Sequence, residues 1–470
     1  MTTATTTPIT PTTPAPHFTA PAHRQLELDR GTLVAVDRAG TGDLAEARLL
    51  LPLVPGPAAA HATEVDVAAE ALREALEEAA GALAVVRAEA RPDRIVVSAR
   101  SFTGDLAEVC ARIGAALGPE GPEGSEGPEG SEGPEGSEGS EESEGPAPGG
   151  LFGAERVDRA RSAVAARLSA AERHPTVVAR AGFLSAVYGT HAYGHTATAA
   201  RLPGVTGGAL AALLAGAPVS ARRAVVVGRG PAGELLDAAR PLLPAPPRLA
   251  PRAAAAPRGR PAGGTATLVS PGVPQTLIRL GGHVPGRVHP DYPALQVAVL
   301  MLGGYFGSRL TAVLREREGL SYAPRAVLDP LGGSAAFTLE ADVRSDGAAR
   351  ALVLIDEELE RLAAGAFAPA ELLGAQNFTV GSMAMACSSR SGLASVFAGT
   401  LVSGLSPQWL GGYEERVRAL SAADVARAAR TYLLEPGLTG VLVAPAPAEG
   451  LPPVRPLPGP TPAPTPLPLS

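Results

Sequence analysis

The amino-acid sequence predicts an α+β protein built from two homologous halves, each an antiparallel-rich sheet packed with helices, arranged as a clamshell. The same order of predicted elements, from a pair of strands through helices to a last strand, occurs on both sides of a Pro/Ala/Arg-rich segment at 244–264. Hydrophobic residues make up 45% of the 470 residues, which is enough for a core in each half. No Gly-rich phosphate-binding motif follows a predicted strand, which disfavours a nucleotide-binding fold. We therefore expect halves at 23–243 and 265–445.

In the first half, alternating apolar residues predict strands, and apolar residues spaced three or four apart predict helices. Residues 25–36 contain two alternating segments around Asp29-Arg30-Gly31, which is typical of a β-hairpin. Further strands are predicted at 47–54, 82–90, 94–100 and 223–228, and helices at 63–81, 103–117, 152–174, 176–187, 208–214 and 233–243.

Three segments have compositions that cannot bury a core. Residues 1–22 are rich in Thr and Pro and residues 446–470 are rich in Pro, which predicts disordered tails. Residues 118–150 repeat Gly-Pro-Glu-Gly-Ser-Glu and contain no large apolar side chain before Leu151. This pattern predicts an acidic low-complexity insertion in the first half, on a surface that tolerates added length.

The second half follows the linker and is predicted to start near Thr265. Its strands are predicted at 275–280, 325–328, 334–343 and 438–444, and its helices at 347–363, 369–388, 391–401 and 421–433. Between the first two strands lies the most informative stretch of the chain, Gly303–Tyr322, with the sequence GGYFGSRLTAVLREREGLSY.

The stretch Gly303–Tyr322 predicts a Gly-rich turn, one amphipathic helix and the start of an extended segment. Gly319 is suited to end the helix because glycine readily adopts the left-handed conformation. An arginine in the helix, Arg315, and a tyrosine just past its end, Tyr322, are thereby held at a fixed separation. Both side chains donate hydrogen bonds, so the pair suits the binding of peptide carbonyl oxygens or of an oxyanion.

Composition excludes several classes of function. The net charge of -7 and the isoelectric point near 5.7 argue against nucleic-acid binding. Two cysteines, Cys110 and Cys387, are too few and too far apart for a disulfide framework. The N-terminus lacks the pattern of a secretory signal, and no apolar run has the length of a membrane helix. We expect a cytoplasmic protein with no membrane partner.

The run His289–Tyr322 resembles the second homologous half of the insulinase/pitrilysin family of zinc metallopeptidases, which includes the subunits of the mitochondrial processing peptidase. The Gly-Gly turn, Ser308-Arg309-Leu310 and the later Arg-Glu, Gly-Leu and Tyr occur in the family's order. The resemblance covers about residues 23–445 and is strongest after 265. It implies that Arg315 and Tyr322 bind substrate near the scissile bond.

The same resemblance places the metal site in the first half. Active members carry His-x-x-Glu-His on a helix, and a glutamate on a later helix is the third zinc ligand. The corresponding segment here is His61-Ala-Thr-Glu64-Val65, and Arg167 stands where the third ligand is expected. Valine cannot bind zinc and arginine would repel it. His61 and Glu64 are the remaining candidates for a metal ligand and a general base, and we expect no metal or catalytic residue on this chain alone.

These observations predict the non-catalytic subunit of a heterodimeric zinc peptidase. A related, zinc-bearing subunit would supply the metal, the water and the general base, and this chain would bind the peptide through Arg315 and Tyr322. One alternative is a self-sufficient zinc metalloendopeptidase with a degenerate metal site. Another is a structural or docking protein with no role in proteolysis.

Overall fold

The protein forms two compact units. A computed structural model describes residues 17–38, 42–53, 58–118, 150–172, 174–216, 221–243, 264–331 and 333–455. Of these, residues 22–243 form the first half, and residues 264–455 together with 17–21 form the second. The predicted α+β class with two sheet-and-helix halves is confirmed. Most of the predicted acidic insertion (119–149) and of the linker (244–263) lies outside the described residues.

The described part of the first half contains six strands and six α-helices. The strands are β1 (His23–Leu28), β2 (Gly31–Asp37), β3 (Leu44–Pro52), β4 (Ala84–Arg91), β5 (Arg94–Phe102) and β6 (Arg223–Gly228). The helices are α1 (Ala58–Ala80), α2 (Leu106–Leu117), α3 (Ala154–Ala171), α4 (Pro175–Tyr188), α5 (Gly207–Ala215) and α6 (Ala232–Ala239).

These strands form one sheet in the order β1-β2-β6-β3-β5-β4. The predicted hairpin is present, since β1 pairs antiparallel with β2 from Leu28 opposite Gly31 outward. Strands β2 and β6 are parallel, and every other neighbouring pair is antiparallel. The centre of the sheet is apolar on both faces, as in strands that are covered on two sides, and Leu33 and Val34 are both fully buried.

The described part of the second half also contains six strands and six α-helices. The strands are β7 (Thr265–Val269), β8 (Thr276–Pro285), β9 (Arg325–Leu331), β10 (Ser334–Val343), β11 (Thr439–Ala444) and β12 (Val454–Arg455). The helices are α7 (Tyr292–Val299), α8 (Ala348–Ala363), α9 (Pro369–Ala386), α10 (Arg390–Val402), α11 (Tyr413–Arg418) and α12 (Ala422–Ala429). The sheet order is β12-β7-β11-β8-β10-β9.

Five strands repeat the same topology in the two halves. The order β2-β6-β3-β5-β4 corresponds to β7-β11-β8-β10-β9, with one parallel pair at the same place (β2 with β6, β7 with β11) and antiparallel pairs elsewhere. In both halves a helix follows the strand at the third position, namely α1 after β3 and α7 after β8. The homology of the halves, expected from the order of elements, is therefore visible in the hydrogen-bonded registers.

Both segments that were predicted to be disordered tails are partly ordered, which corrects the sequence prediction. Phe18 in the 1–22 segment is only 6% exposed, and its ring lies edge-on to Tyr413 with centroids 6.2 Å apart. At the other end, Val454 and Arg455 pair in parallel with β7. Composition missed both contacts because a single aromatic side chain or a two-residue strand can bind a folded surface without making its segment apolar.

Two elements of the second half, β8 and α11, also differ from the sequence prediction. The strand predicted to end at Leu280 continues to Pro285, because Gly281 permits a backbone approach in which a Cβ would lie 1.9 Å from the carbonyl oxygen of Phe337. The sequence pattern did not predict the short helix α11.

Within the described residues, no helix combines the length and apolar character needed to cross a membrane.

Candidate functional site: an arginine between two exposed aromatic rings

The stretch Gly303–Tyr322 is more irregular than the single regular helix that its spacing predicts. Helix α7 continues into a π-helical segment, Leu300–Gly304, and a second π-helical segment spans Thr311–Arg317. Such i→i+5 turns are rare and occur often at functional sites. The wider turns change the helical geometry but not the faces: Leu310, Val313 and Leu314 are buried, and Glu316 and Arg317 are exposed.

A close backbone approach fixes the end of the first π-helical segment, immediately before the turn. A Cβ on Gly303 would lie 2.6 Å from the backbone nitrogen of Ala326 in β9, so only glycine fits here. Arg309, just after the turn, anchors the second segment. Its guanidinium donates to Glu371 at 2.6 Å, to Glu358 at 3.4 Å and to the carbonyl oxygen of Ala366 at 2.8 Å. Arg309 is therefore a structural residue.

The end of the second segment is also fixed. Gly319 has a φ of +61°, and the backbone amides of Leu320 and Ser321 both donate to the carbonyl oxygen of Leu314, at 2.7 and 3.1 Å. Ser321 then pairs with Val343 at the end of β10. The predicted glycine stop and the extended segment after it are confirmed, and together they hold Tyr322 beside the helix end.

Arg315 lies against two exposed aromatic rings. Its Cζ atom is 4.7 Å from the ring centroid of Tyr322 and 5.0 Å from that of Phe306, within the range of cation–π attraction. Tyr322 is 80% exposed and Phe306 is 69% exposed. The structure thus brings together the two predicted residues and adds a third, Phe306, which the sequence reasoning missed. An aromatic residue inside a Gly-rich turn, in a chain with only 4% aromatics, was the available signal.

Arg315 has no carboxylate partner among the described residues, although arginines in this chain are generally paired. Arg317, two residues later, lies 3.7 Å from Glu318, and Arg325 lies near Glu340. Arg315 makes only the two ring contacts within the described ranges. Because a ring face attracts the cation without accepting a conventional hydrogen bond, its N–H groups remain available to a ligand.

His61 and Glu64, the candidate residues of the first half, lie in a different environment from Arg315 and Tyr322. Helix α1 begins before His61, earlier than predicted, so both His61 and Glu64 are helical. His61 is 1% exposed, and its Nε2 atom donates to the carbonyl oxygen of Pro92 at 2.7 Å. Val65, one turn later, is 2% exposed and belongs to the apolar core. The histidine therefore points into the protein and uses its ring nitrogen in a structural hydrogen bond.

The position expected for the third zinc ligand is occupied by an ion pair. Arg167 on α3 donates to Asp66 on α1 at 3.0 Å. Burial raises the pKa of Asp66, and the charge of Arg167 partly offsets this rise. Within the described residues no three His, Cys, Asp or Glu side chains converge on a possible metal position. The residues present here do not fit a zinc ion, since a catalytic site needs three protein ligands.

Comparison with known proteins supports the resemblance found in the sequence. Residues 223–378 match the family model described as the Peptidase M16 inactive domain. A search of curated proteins found no match. Among solved structures, a protease from Helicobacter pylori superposes with a TM-score of 0.75 at 18% identity, covering 91% of this chain and 100% of that one.

Two other solved structures share the fold. A peptidase M16 inactive domain from Pseudomonas fluorescens superposes with a TM-score of 0.69 at 19% identity, covering 93% of this chain and 100% of the other. A chain of Complex III2 from Candida albicans superposes with a TM-score of 0.66 at 12% identity, covering 89% of this chain and 95% of the other. At these identities the likeness establishes the two-halved fold.

Proposed function

We propose that this insulinase-type (M16) homologue, which carries the family's inactive domain, is the non-catalytic subunit of a heterodimeric zinc peptidase. The observation that carries the proposal is the contrast between two sites. In the second half, Arg315 is half-buried, lies against the rings of Phe306 and Tyr322 and has no carboxylate partner among the described residues. In the first half, the segment that would hold zinc contains Val65 in the core and a satisfied His61. The chain is therefore equipped to bind peptide but not to activate water.

In this proposal Arg315 and Tyr322 bind the peptide while a related subunit performs the chemistry. The partner's zinc would supply the Lewis acid and the activated water. The guanidinium of Arg315 and the hydroxyl of Tyr322 would donate hydrogen bonds to carbonyl oxygens near the scissile bond and stabilise the charge that develops on one of them. Removal of one such donor typically lowers kcat by about two to three orders of magnitude.

The test is co-expression with an M16 chain that has an intact His-x-x-Glu-His motif. We expect no zinc on the isolated chain and one zinc with peptidase activity in the pair, measured by elemental analysis and peptide hydrolysis. Arg315→Ala should lower the activity of the pair while leaving its assembly unchanged. Arg317→Ala is the matched control, because it removes an equivalent charge two residues away.

Other outcomes would favour the alternatives. A tightly bound zinc on the isolated chain, with hydrolysis abolished by Glu64→Gln, would favour the self-sufficient metalloendopeptidase. A pair whose activity does not depend on Arg315 would favour the structural or docking role. The cytoplasmic location remains a prediction that fractionation of the native organism would check.

A further inference from the structure

We propose that the Phe306–Arg315–Tyr322 cluster, hereafter the arginine stack, binds a carboxylate group of an acidic peptide. This inference rests on the proposed function and deepens it by naming the chemical class of the ligand. An arginine that bound only backbone carbonyls would impose little sequence preference. A carboxylate receptor selects peptides that carry Asp, Glu or a free C-terminus at the matching position.

The absence of a carboxylate partner for Arg315 within the described ranges favours a carboxylate ligand. The guanidinium of Arg315 lies over both ring faces, at 5.0 Å from Phe306 and 4.7 Å from Tyr322, and has no described acceptor. Planar guanidinium groups match carboxylates through two parallel N–H···O bonds, whereas a carbonyl oxygen offers a single neutral acceptor. A carboxylate therefore uses more of the donors that the stack leaves available.

The described acidic side chains of the second half do not occupy the guanidinium of Arg315. Glu318, three residues along the chain, is engaged by Arg350 at 3.2 Å and by Arg317 at 3.7 Å. Glu371, on α9, is bound by Arg309 at 2.6 Å. Glu318 and Glu371 are thus held by other arginines, and no salt bridge joins Arg315 to a carboxylate, that of the adjacent Glu316 included, among the described residues.

The arginine stack restricts the side chain of Arg315 before a ligand binds. An exposed arginine loses conformational entropy when it binds, and this loss opposes affinity. Contacts with Phe306 and Tyr322 restrict the side chain in advance, while the fixed turn at Gly303 and the pairing of Ser321 with Val343 restrict the rings. Phe306 is therefore a positioning residue for Arg315.

The test uses the full chain and three fluorescein-labelled peptides of otherwise identical sequence, read by fluorescence anisotropy. One peptide has a central Glu and an amidated C-terminus, one has a central Gln and an amidated C-terminus, and one has a central Gln and a free C-terminus. We expect the Glu peptide to bind about tenfold more tightly than the amidated Gln peptide, the effect of one charge-assisted hydrogen-bonded pair. Added salt should reduce that preference. Tight binding of the third peptide instead would identify the C-terminal carboxylate as the source.

Variants assign the preference to the stack. Arg315→Gln should abolish it, and Arg317→Gln should leave it intact. Phe306→Ala should reduce it about two- to fivefold through loss of a cation–π contact, whereas Phe306→Tyr should retain it. Equal binding of the three peptides, or no binding of any, would overturn the carboxylate proposal. The proposed function would stand independently if Arg315→Ala still lowered the activity of the pair.

Discussion

The two halves of this protein share five strands in the same order, yet the helix that follows the third strand position differs sharply between them. In the first half, α1 is a continuous helix of 23 residues that turns His61, Val65, Leu72 and Leu76 toward the interior. In the second half, the equivalent position carries α7, two π-helical segments and a Gly-rich turn. The regular helix buries His61, whereas the irregular stretch exposes Phe306 and Tyr322 and leaves Arg315 half-buried between them.

The physical reason lies in how helices display side chains. A regular helix with an apolar stripe facing a sheet has one face available for the core, so a histidine on that face is buried with the leucines. A π turn and a glycine contact interrupt this register. Phe306 and Tyr322 can then be exposed, with Arg315 half-buried against them, while Leu310 and Leu314 of the same stretch remain buried. In these two halves, the exposed aromatic rings occur where the helix is irregular.

The largest expected effect concerns the structural role of α1. Leu72 is fully buried in the first-half core, so Leu72→Ala should lower the free energy of unfolding by about 2–5 kcal/mol. Leu373 on α9 is exposed, and Leu373→Ala should change the free energy of unfolding by less than about 0.5 kcal/mol. Urea unfolding measures both. Equal losses would mean that α1 is not packed as described.

A second prediction addresses the turn that creates the irregular stretch. Gly303→Ala places a Cβ against the backbone of β9 and should destabilise the protein by about 1–3 kcal/mol. It should also weaken the binding of peptides, because the turn carries Phe306. Gly374→Ala, in α9 with no atom near its added Cβ, should instead stabilise by about 0.5–1 kcal/mol. If Gly303→Ala were neutral in both assays, the turn would not determine the site.

A third prediction concerns the N-terminal segment that binds the second half. The backbone amide of Phe18 donates to Glu414 at 2.7 Å, and this bond, with one from Arg418, lowers the pKa of Glu414. Since the folded pKa lies below the unfolded one, the associated stability is present at neutral pH and lost as the pH falls through the folded pKa. Glu414→Gln should cost about 1 kcal/mol at neutral pH and little in acid.

Hydrogen exchange of the Phe18 amide gives a direct readout of the same contact. Exchange should accelerate in Glu414→Gln and should not change in Glu415→Gln, since Glu415 is the exposed neighbour. Unchanged protection in the first variant would show that the segment does not depend on this bond.

The smallest expected effect concerns the ion pair between Arg167 and Asp66. Arg167→Gln removes the charge that offsets the raised pKa of Asp66, so that pKa should rise further. The exposed pair contributes about 0.5 kcal/mol, and its loss should be measurable at neutral pH. The loss of stability in Arg167→Gln should become smaller at acidic pH, where Asp66 is protonated and no longer forms an ion pair. A deficit that grew in acid would contradict this account.

The sequence by itself determined the fold class, the two homologous halves and most of the elements. Strand and helix patterns are local properties: the apolar residues of α8 follow the helical period, and β2 and β10 are the short apolar runs that are typical of buried strands. The sequence also located Arg315 and Tyr322, because the glycines and the order of residues around them are specific. It excluded Val65 as a metal ligand from side-chain chemistry alone.

Tertiary structure decided which of these residues are available to a ligand. Whether His61 binds a metal or the carbonyl of Pro92 depends on a residue 31 positions away. Whether an arginine is neutralised depends on other helices, as the pairing of Arg309 and the unpaired state of Arg315 show. Phe306 joins the site through a turn whose shape is fixed by contact with β9. Such long-range contacts leave no period in the sequence, so only the folded chain determines them.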